Sequence, residues 1–157
     1  MTKVFINFRN GDDPYAAALL YRALGQHYGT ATVFRSSESI RPGTRWAQEI
    51  WTNHRSCTVV VAVIGPRWLS VADQDGRRML DREDDWVRAE LAVALAEGKL
   101  VLPVLLQGAP QLARADLPAD LTELAELQAV SMDHRHVDPA VAALIERISP
   151  AIGAAVR

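Results

Sequence analysis

Cysteine is nearly absent: the 157 residues contain one, Cys57, so no internal disulfide can form. That usage fits a reducing compartment. Cys57 stands just before the run TVVVAVI, which predicts a small buried hydrophobe. Lysine is almost missing too, with only Lys3 and Lys99, and arginine carries nearly all the positive charge. Lys+Arg total 17 against Asp+Glu 19, a net charge of -2 with a pI near 6.1. This lacks the strongly basic face that nucleic-acid binding requires, and no nucleic-acid partner is expected. No apolar run approaches the roughly 20 residues that span a bilayer. MTKVFINF enters a strand at once, without a signal-peptide layout. The expected setting is cytoplasmic, with no membrane partner.

Several catalytic signatures are missing as well. RNGDD follows the first strand in place of a Gly-x-Gly-x-x-Gly turn, and there is no Walker sequence. VVVAVIGP ends without the aspartate of a phospho-acceptor site, and no Gly-x-Ser-x-Gly elbow occurs. Of the four histidines, His27, His54, His134 and His136, only the last two are close together, with no cysteine nearby. They do not make a zinc ligand set, and no metal site is expected.

What is present is an ordinary globular composition, 49% hydrophobic and 23% charged, in a length that forms one domain. Short apolar runs alternate with amphipathic ones. Strands are predicted at 3–8, 31–35, 57–65, 99–106 and 127–132, with Pro103 marking an end or a bend of the fourth. Helices are predicted from Pro14 to about His27, from about Arg45 to His54, over the stretch around Glu90 as far as Gly98, and after Asp138-Pro139. Residues 66–84 read as a long charged connection. Five β/α units imply an α/β, flavodoxin-like three-layer sandwich with a five-stranded parallel sheet. Such sheets bind ligands beyond the carboxyl ends of their strands, here after Phe8, Arg35 and Gly65.

The segment DDWVRAELAVAL (84–95) carries the most specific signal. Val87, Leu91, Ala94 and Leu95 form an apolar stripe at helical spacing. Glu90 is expected off that stripe, on a partly exposed face, one turn after Trp86 and on the same side of the helix. From the residues alone, with Arg88 and DRED beside it, Glu90 reads first as a solvated helix charge and second as a functional acid beside an indole. Trp46 and Trp51, five residues apart, are expected to point in different directions, at least one of them into the core.

Read in order, the segments resemble the Toll/interleukin receptor/resistance protein (TIR) domain family. VFINFRNGDD resembles its opening strand, and VFRSSESIRPGTRWAQEI its second strand and loop. TVVVAVIGPRWL resembles the third strand, DDWVRAEL the Trp-x-x-x-Glu-Leu box, and LVLPVLL the fourth strand. The likeness spans roughly residues 3 to 150. Departures are RSS where an Asp often stands, Gly65 for a common Ser, and Val87 for a common Cys.

The retained acid implies the bacterial, NAD-cleaving branch of the family. The resemblance thus implies a single TIR-like domain over residues 1–157, whole or part of a longer receptor. Its activity would be NAD+ glycohydrolase or ADP-ribosyl cyclase, in immunity or cell-death signalling. NAD+ is then substrate and no cofactor is required. Glu90 becomes the catalytic carboxylate, with Phe8, Arg9 and Trp86 at the substrate, Arg9 pairing with its pyrophosphate. The loop of Glu38, Ile40, Arg41, Pro42 and Gly43 becomes the self-association surface, building open oligomers or filaments under a fused or separate sensor. The alternatives are a non-catalytic interaction module and a deoxyribosyltransferase-like enzyme on the same kind of sheet.

Overall fold

The computed structural model describes residues 1–35, 43 and 45–156. Five parallel strands, β1 (Val4–Asn7), β2 (Val33–Arg35), β3 (Val59–Ile64), β4 (Leu100–Leu106) and β5 (Val130–Met132), lie in the order β2-β1-β3-β4-β5. The strands read as near-continuous apolar runs because both faces of the sheet are covered. Side chains alternate between the faces. Val4, Ile6, Val59, Val61 and Val63 enter one core, which α1 (Pro14–Tyr28) and α4 (Val137–Val156) close. Phe5, Val60, Ala62 and Ile64 enter the other, under α2 (Trp46–Ser56) and α3 (Trp86–Ala96). The result is the three-layer architecture expected of the sequence.

Local signals fix the helix ends. The Asp13 carboxylate accepts from the Ala16 amide at 3.1 Å, with Pro14 at the first helical position of α1. Gly98, at φ 72°, supplies the left-handed residue after α3. Three expectations shift. Pro103 neither ends nor bends β4: it lies mid-strand opposite Ala62, and the β5 ladder begins only at Val104, leaving that flank of β4 open at the proline. The fifth strand is shorter than predicted, its approach taken up by a 3-10 stretch over Ala119–Glu126. The last helix begins at Val137, so Asp138 and Pro139 lie inside its first turn instead of capping it. Cys57 is buried, as expected.

The order reverses between β1 and β3: the chain steps outward to β2, then returns to the opposite side of β1. At such a switch point the loops leave in opposite directions and open a crevice at the carboxyl edge. A cleft of about 750 Å³ opens there, within the range of small-molecule sites. No described helix is long and apolar enough to cross a membrane.

Candidate active site

Glu90 forms part of the cleft lining, and it is not on an exposed face. It is 7% exposed, and the buried positions of α3 are Val87, Glu90, Leu91 and Ala94. The acid therefore sits within the buried stripe, contrary to the sequence reading. The reason is its neighbour: Asn7, last residue of β1, shares the sheet face of Phe5 and so points at α3. Its Nδ2 donates to Glu90 Oε1 at 3.0 Å and to the Val87 carbonyl at 3.3 Å. Burial pushes the Glu90 carboxyl up to about 8, the Asn7 hydrogen bond opposes the rise, and the nearby Asp85 carboxylate adds to it.

A second layer holds the helix. His54 is fully buried, and its Nε2 lies 2.8 Å from the Glu90 carbonyl oxygen. Desolvation lowers the imidazole pKa, more than the Glu90 carbonyl raises it. A neutral ring that meets a carbonyl through Nε2 must carry its proton there. Asn7 Oδ1, Arg9 Nε and His54 Nδ1 are buried without a hydrogen-bond partner among the described residues. Such orphans cost free energy, and three of the six among the described residues belong to the side chains that support Glu90 and the start of its helix.

Trp86 lines the cleft beside Glu90. Neither tryptophan of α2 is core, although at least one was expected to be. Trp46 is 54% exposed and Trp51 half-buried, and both rings meet Trp86, at centroid distances of 5.0 and 5.6 Å. Trp51 in turn packs edge-on to His54 at 5.3 Å. The aromatic wall thus runs continuously from the cleft rim to the group beneath Glu90.

Phe8 also lines the cleft, with the Arg35 guanidinium 5.8 Å above its ring. Arg9 borders the cleft as well, but its charge is committed. Its two terminal nitrogens reach Asp85 Oδ1 and Oδ2 at 2.9 and 2.7 Å, with both side chains almost fully buried. Asp85 is also the N-cap of α3, accepting from the Arg88 amide at 3.0 Å. Withdrawing Arg9 to meet a pyrophosphate would strand a buried carboxylate, at a cost of about 3–5 kcal/mol. Arg9 fixes the start of the helix that carries Trp86 and Glu90.

Three contributions escaped the sequence reading. Asn7 was legible only as a polar residue closing an apolar strand, and His54 only as one of four scattered histidines. The third is Asp12, the first acid of GDDP. Its oxygens accept from the Gly65 and Arg67 amides at 2.7 and 2.8 Å, tying the turn after β3 to the loop after β1. A β-carbon at Gly65 would lie 2.6 Å from the Asp12 carboxylate, so the glycine is a condition of this clamp. The 66–84 connection then supplies a cleft wall through Val71, Met79 and Arg82. Of the loop from Glu38 to Gly43, only Gly43 is described, exposed and at φ 83°. Glu38, Ile40, Arg41 and Pro42 lie outside the described residues.

An all-parallel β2-β1-β3-β4-β5 sheet with a carboxylate-lined cleft at its switch point defines a doubly wound α/β protein of flavodoxin-like type. In sequence, residues 4–145 match the TIR domain, and the chain belongs to that family. No protein of curated function matches it in sequence. Among solved structures it is similar to the TIR domains of the activated Roq1 resistosome, which directly recognises the pathogen effector XopQ. That likeness has a TM-score of 0.66 at 15% identity and covers 94% of this chain and 99% of the other. It is also similar to a metazoan TIR-STING receptor from C. gigas, in complex with 2',3'-cGAMP. There the TM-score is 0.57 at 18% identity, covering 90% of this chain and 38% of the other. At such identities the likeness concerns the fold.

Proposed function

We propose that the protein is an NAD+ nucleosidase. It cleaves the bond between the nicotinamide nitrogen and the ribose anomeric carbon, with water or an internal nucleophile taking the vacated carbon to give linear or cyclic ADP-ribose. One observation carries this reading: Glu90 is a buried carboxyl on the cleft lining, beside Trp86 and tethered through one oxygen by Asn7. Nicotinamide departs as a neutral molecule, taking the bonding electron pair, so the leaving group needs no proton. What the reaction needs is negative charge beside an oxocarbenium-like ribosyl centre.

Glu90 is placed to supply that charge on demand. With its pKa pushed up to about 8 by burial, Glu90 is mostly protonated at neutral pH in the free protein. A pyridinium cation in the cleft favours the ionised form, so binding of the charged substrate draws the proton off. The carboxylate then faces the developing cation in a desolvated site, where its charge is least screened. Trp86 provides an apolar face beside it and limits access of water.

Family membership supports the reading at the level of the domain, and the cleft supports it at the level of chemistry. The proposal includes self-association through the 36–44 loop, in open oligomers, as the activating step in immune or cell-death signalling; the resistosome relative is itself an assembly. The test is incubation of the purified protein with NAD+ at several protein concentrations, with chromatography of the products. Free nicotinamide with an equal amount of ADP-ribose, linear or cyclic, is expected. Intact NAD+ at the highest concentration would leave the interaction-module alternative.

A further inference from the structure

With Arg9 committed to Asp85, one other cation among the described residues lines the cleft, Arg82. It stands at the mouth of the cleft in the connection before α3, and its side chain is 34% exposed. Its Nε and one terminal nitrogen form a fork on Asp84, at 2.9 and 2.7 Å, and its other terminal nitrogen lies 3.5 Å from Asp73. Asp84 lines the cleft too, with 71% of its side chain exposed.

Both arginines pair bidentately with an aspartate, Arg9 through its two terminal nitrogens and Arg82 through Nε and one terminal nitrogen, but in opposite settings. Breaking the Arg9 pair leaves Asp85 buried and unpaired. Breaking the Arg82 pair returns Asp84 to water, which solvates it about as well as the guanidinium did, since exposed ion pairs gain little over their hydrated components. A phosphate offers the same two-oxygen geometry as Asp84 with more negative charge. Asp84 occupies the fork as a stand-in that an incoming anion can displace.

We propose that Arg82 and Asp84 form an exchangeable anion subsite at the mouth of the cleft, at which Arg82 holds the phosphate of a phosphorylated nucleoside. The proposal rests on the nucleoside reading of the cleft and adds what selects the substrate: phosphorylated ligands are retained and bare nucleosides are not. Asp84 keeps the arginine oriented before an anion binds and weakens the binding of every anion by competition. Asp73 remains beside the other terminal nitrogen of Arg82 after the exchange.

The test is equilibrium binding of ADP and of adenosine, followed by tryptophan fluorescence, since Trp46 and Trp86 line the same cleft. It reads binding without turnover. The wild-type protein is expected to bind ADP at least tenfold more tightly than adenosine, with the preference shrinking as salt rises. Arg82→Ala is expected to abolish the preference and leave adenosine binding unchanged. Asp84→Asn, which removes the competitor, is expected to tighten ADP several-fold without altering adenosine. Circular dichroism checks each fold, and Asp84→Asn is an independent arm should Arg82→Ala fail to fold. ADP binding that is insensitive to Arg82→Ala, an Asp84→Asn variant that binds ADP no better, or a wild type without preference would each overturn the subsite. A protein that shows the preference but leaves NAD+ intact would retain the subsite and refute the nucleosidase reading. One that consumes NAD+ with an unchanged KM in Arg82→Ala would do the reverse.

Discussion

Asn7 and Glu90 are 83 residues apart in sequence and joined by a 3.0 Å hydrogen bond from amide to carboxylate at the carboxyl end of the central sheet. An amide donor favours the ionised acid, so Asn7 holds the Glu90 pKa below the value burial alone would impose. The profile of kcat/KM, which reports free-enzyme groups, is expected to rise with pH through about 8. Asn7→Ala is expected to move that rise to higher pH and to cost about 1–3 kcal/mol of stability, because buried acceptors lose their donor. An unmoved pH profile would mean that Asn7 only packs.

Glu90 itself is expected to cost stability in the folded protein. Its pKa is raised from 4.5 to about 8. Below pH 4.5 both folded and unfolded chains hold the proton, and the group contributes nothing to the pH dependence. Between those values the unfolded chain releases its proton while the folded chain keeps it, so wild-type stability falls as pH rises. Above about 8 the full penalty is present. Glu90→Gln lacks this slope, and is expected to gain on the wild type across the window, reaching a few kcal/mol on the order-of-magnitude scale of such shifts. Urea denaturation at pH 4 and pH 8.5 measures it. A stability difference independent of pH would show that Glu90 titrates normally.

Arg9 is expected to act through Asp85. Arg9→Met leaves the buried N-cap carboxylate unpaired and should lower stability by about 3–5 kcal/mol. Adding Asp85→Asn, which keeps a capping acceptor without the charge, should recover most of that loss. Thermal unfolding of the single and double variants checks both steps. A single variant with unchanged stability and a raised KM for NAD+ would return Arg9 to direct contact with the substrate.

The sheet was legible because each apolar run is bounded by turn or cap residues, and because β3 and β4 are apolar on both faces. The Trp86–Glu90 pairing was legible from helical spacing alone. Burial of Glu90 was not, since its partner lies on another strand and α3 offered enough apolar positions to form a stripe without it. The meeting of Trp46 and Trp51 was hidden for a related reason: residues five apart diverge around one helix, yet a third large ring between them can touch both. Arg9 looked free because its partner Asp85 lies 76 residues away, and nothing local shows the pairing. The 66–84 stretch read only as a long charged connection because its charges outnumber its apolar residues. Of its apolar side chains, Val71, Ala72 and Met79 line the cleft, while Trp68 and Leu80 are buried in the core.

Activity is expected to depend on assembly. A cleft open at its mouth leaves the ribosyl cation exposed to water, and a neighbouring copy would close it. Turnover per mole of protein should rise steeply with protein concentration in parallel with light scattering, and Ile40→Asp should remove both rises while leaving the circular dichroism spectrum unchanged. Full, concentration-independent turnover by a dilute monomer would exclude a composite site.

The most direct measurement compares nicotinamide release from NAD+ by the wild-type protein and by Glu90→Gln, at equal concentration and with matched folds by circular dichroism. The side chains are nearly isosteric, so the Asn7 contact and the cleft are preserved while the ionisable acid is lost. Release by the wild type and a fall of at least about a hundredfold in Glu90→Gln are expected, since a charge-stabilising group at a site of developing charge is worth roughly 10²–10³ in kcat. A Glu90→Gln protein that releases nicotinamide at a rate close to wild type would contradict the assignment of Glu90 as the catalytic carboxylate.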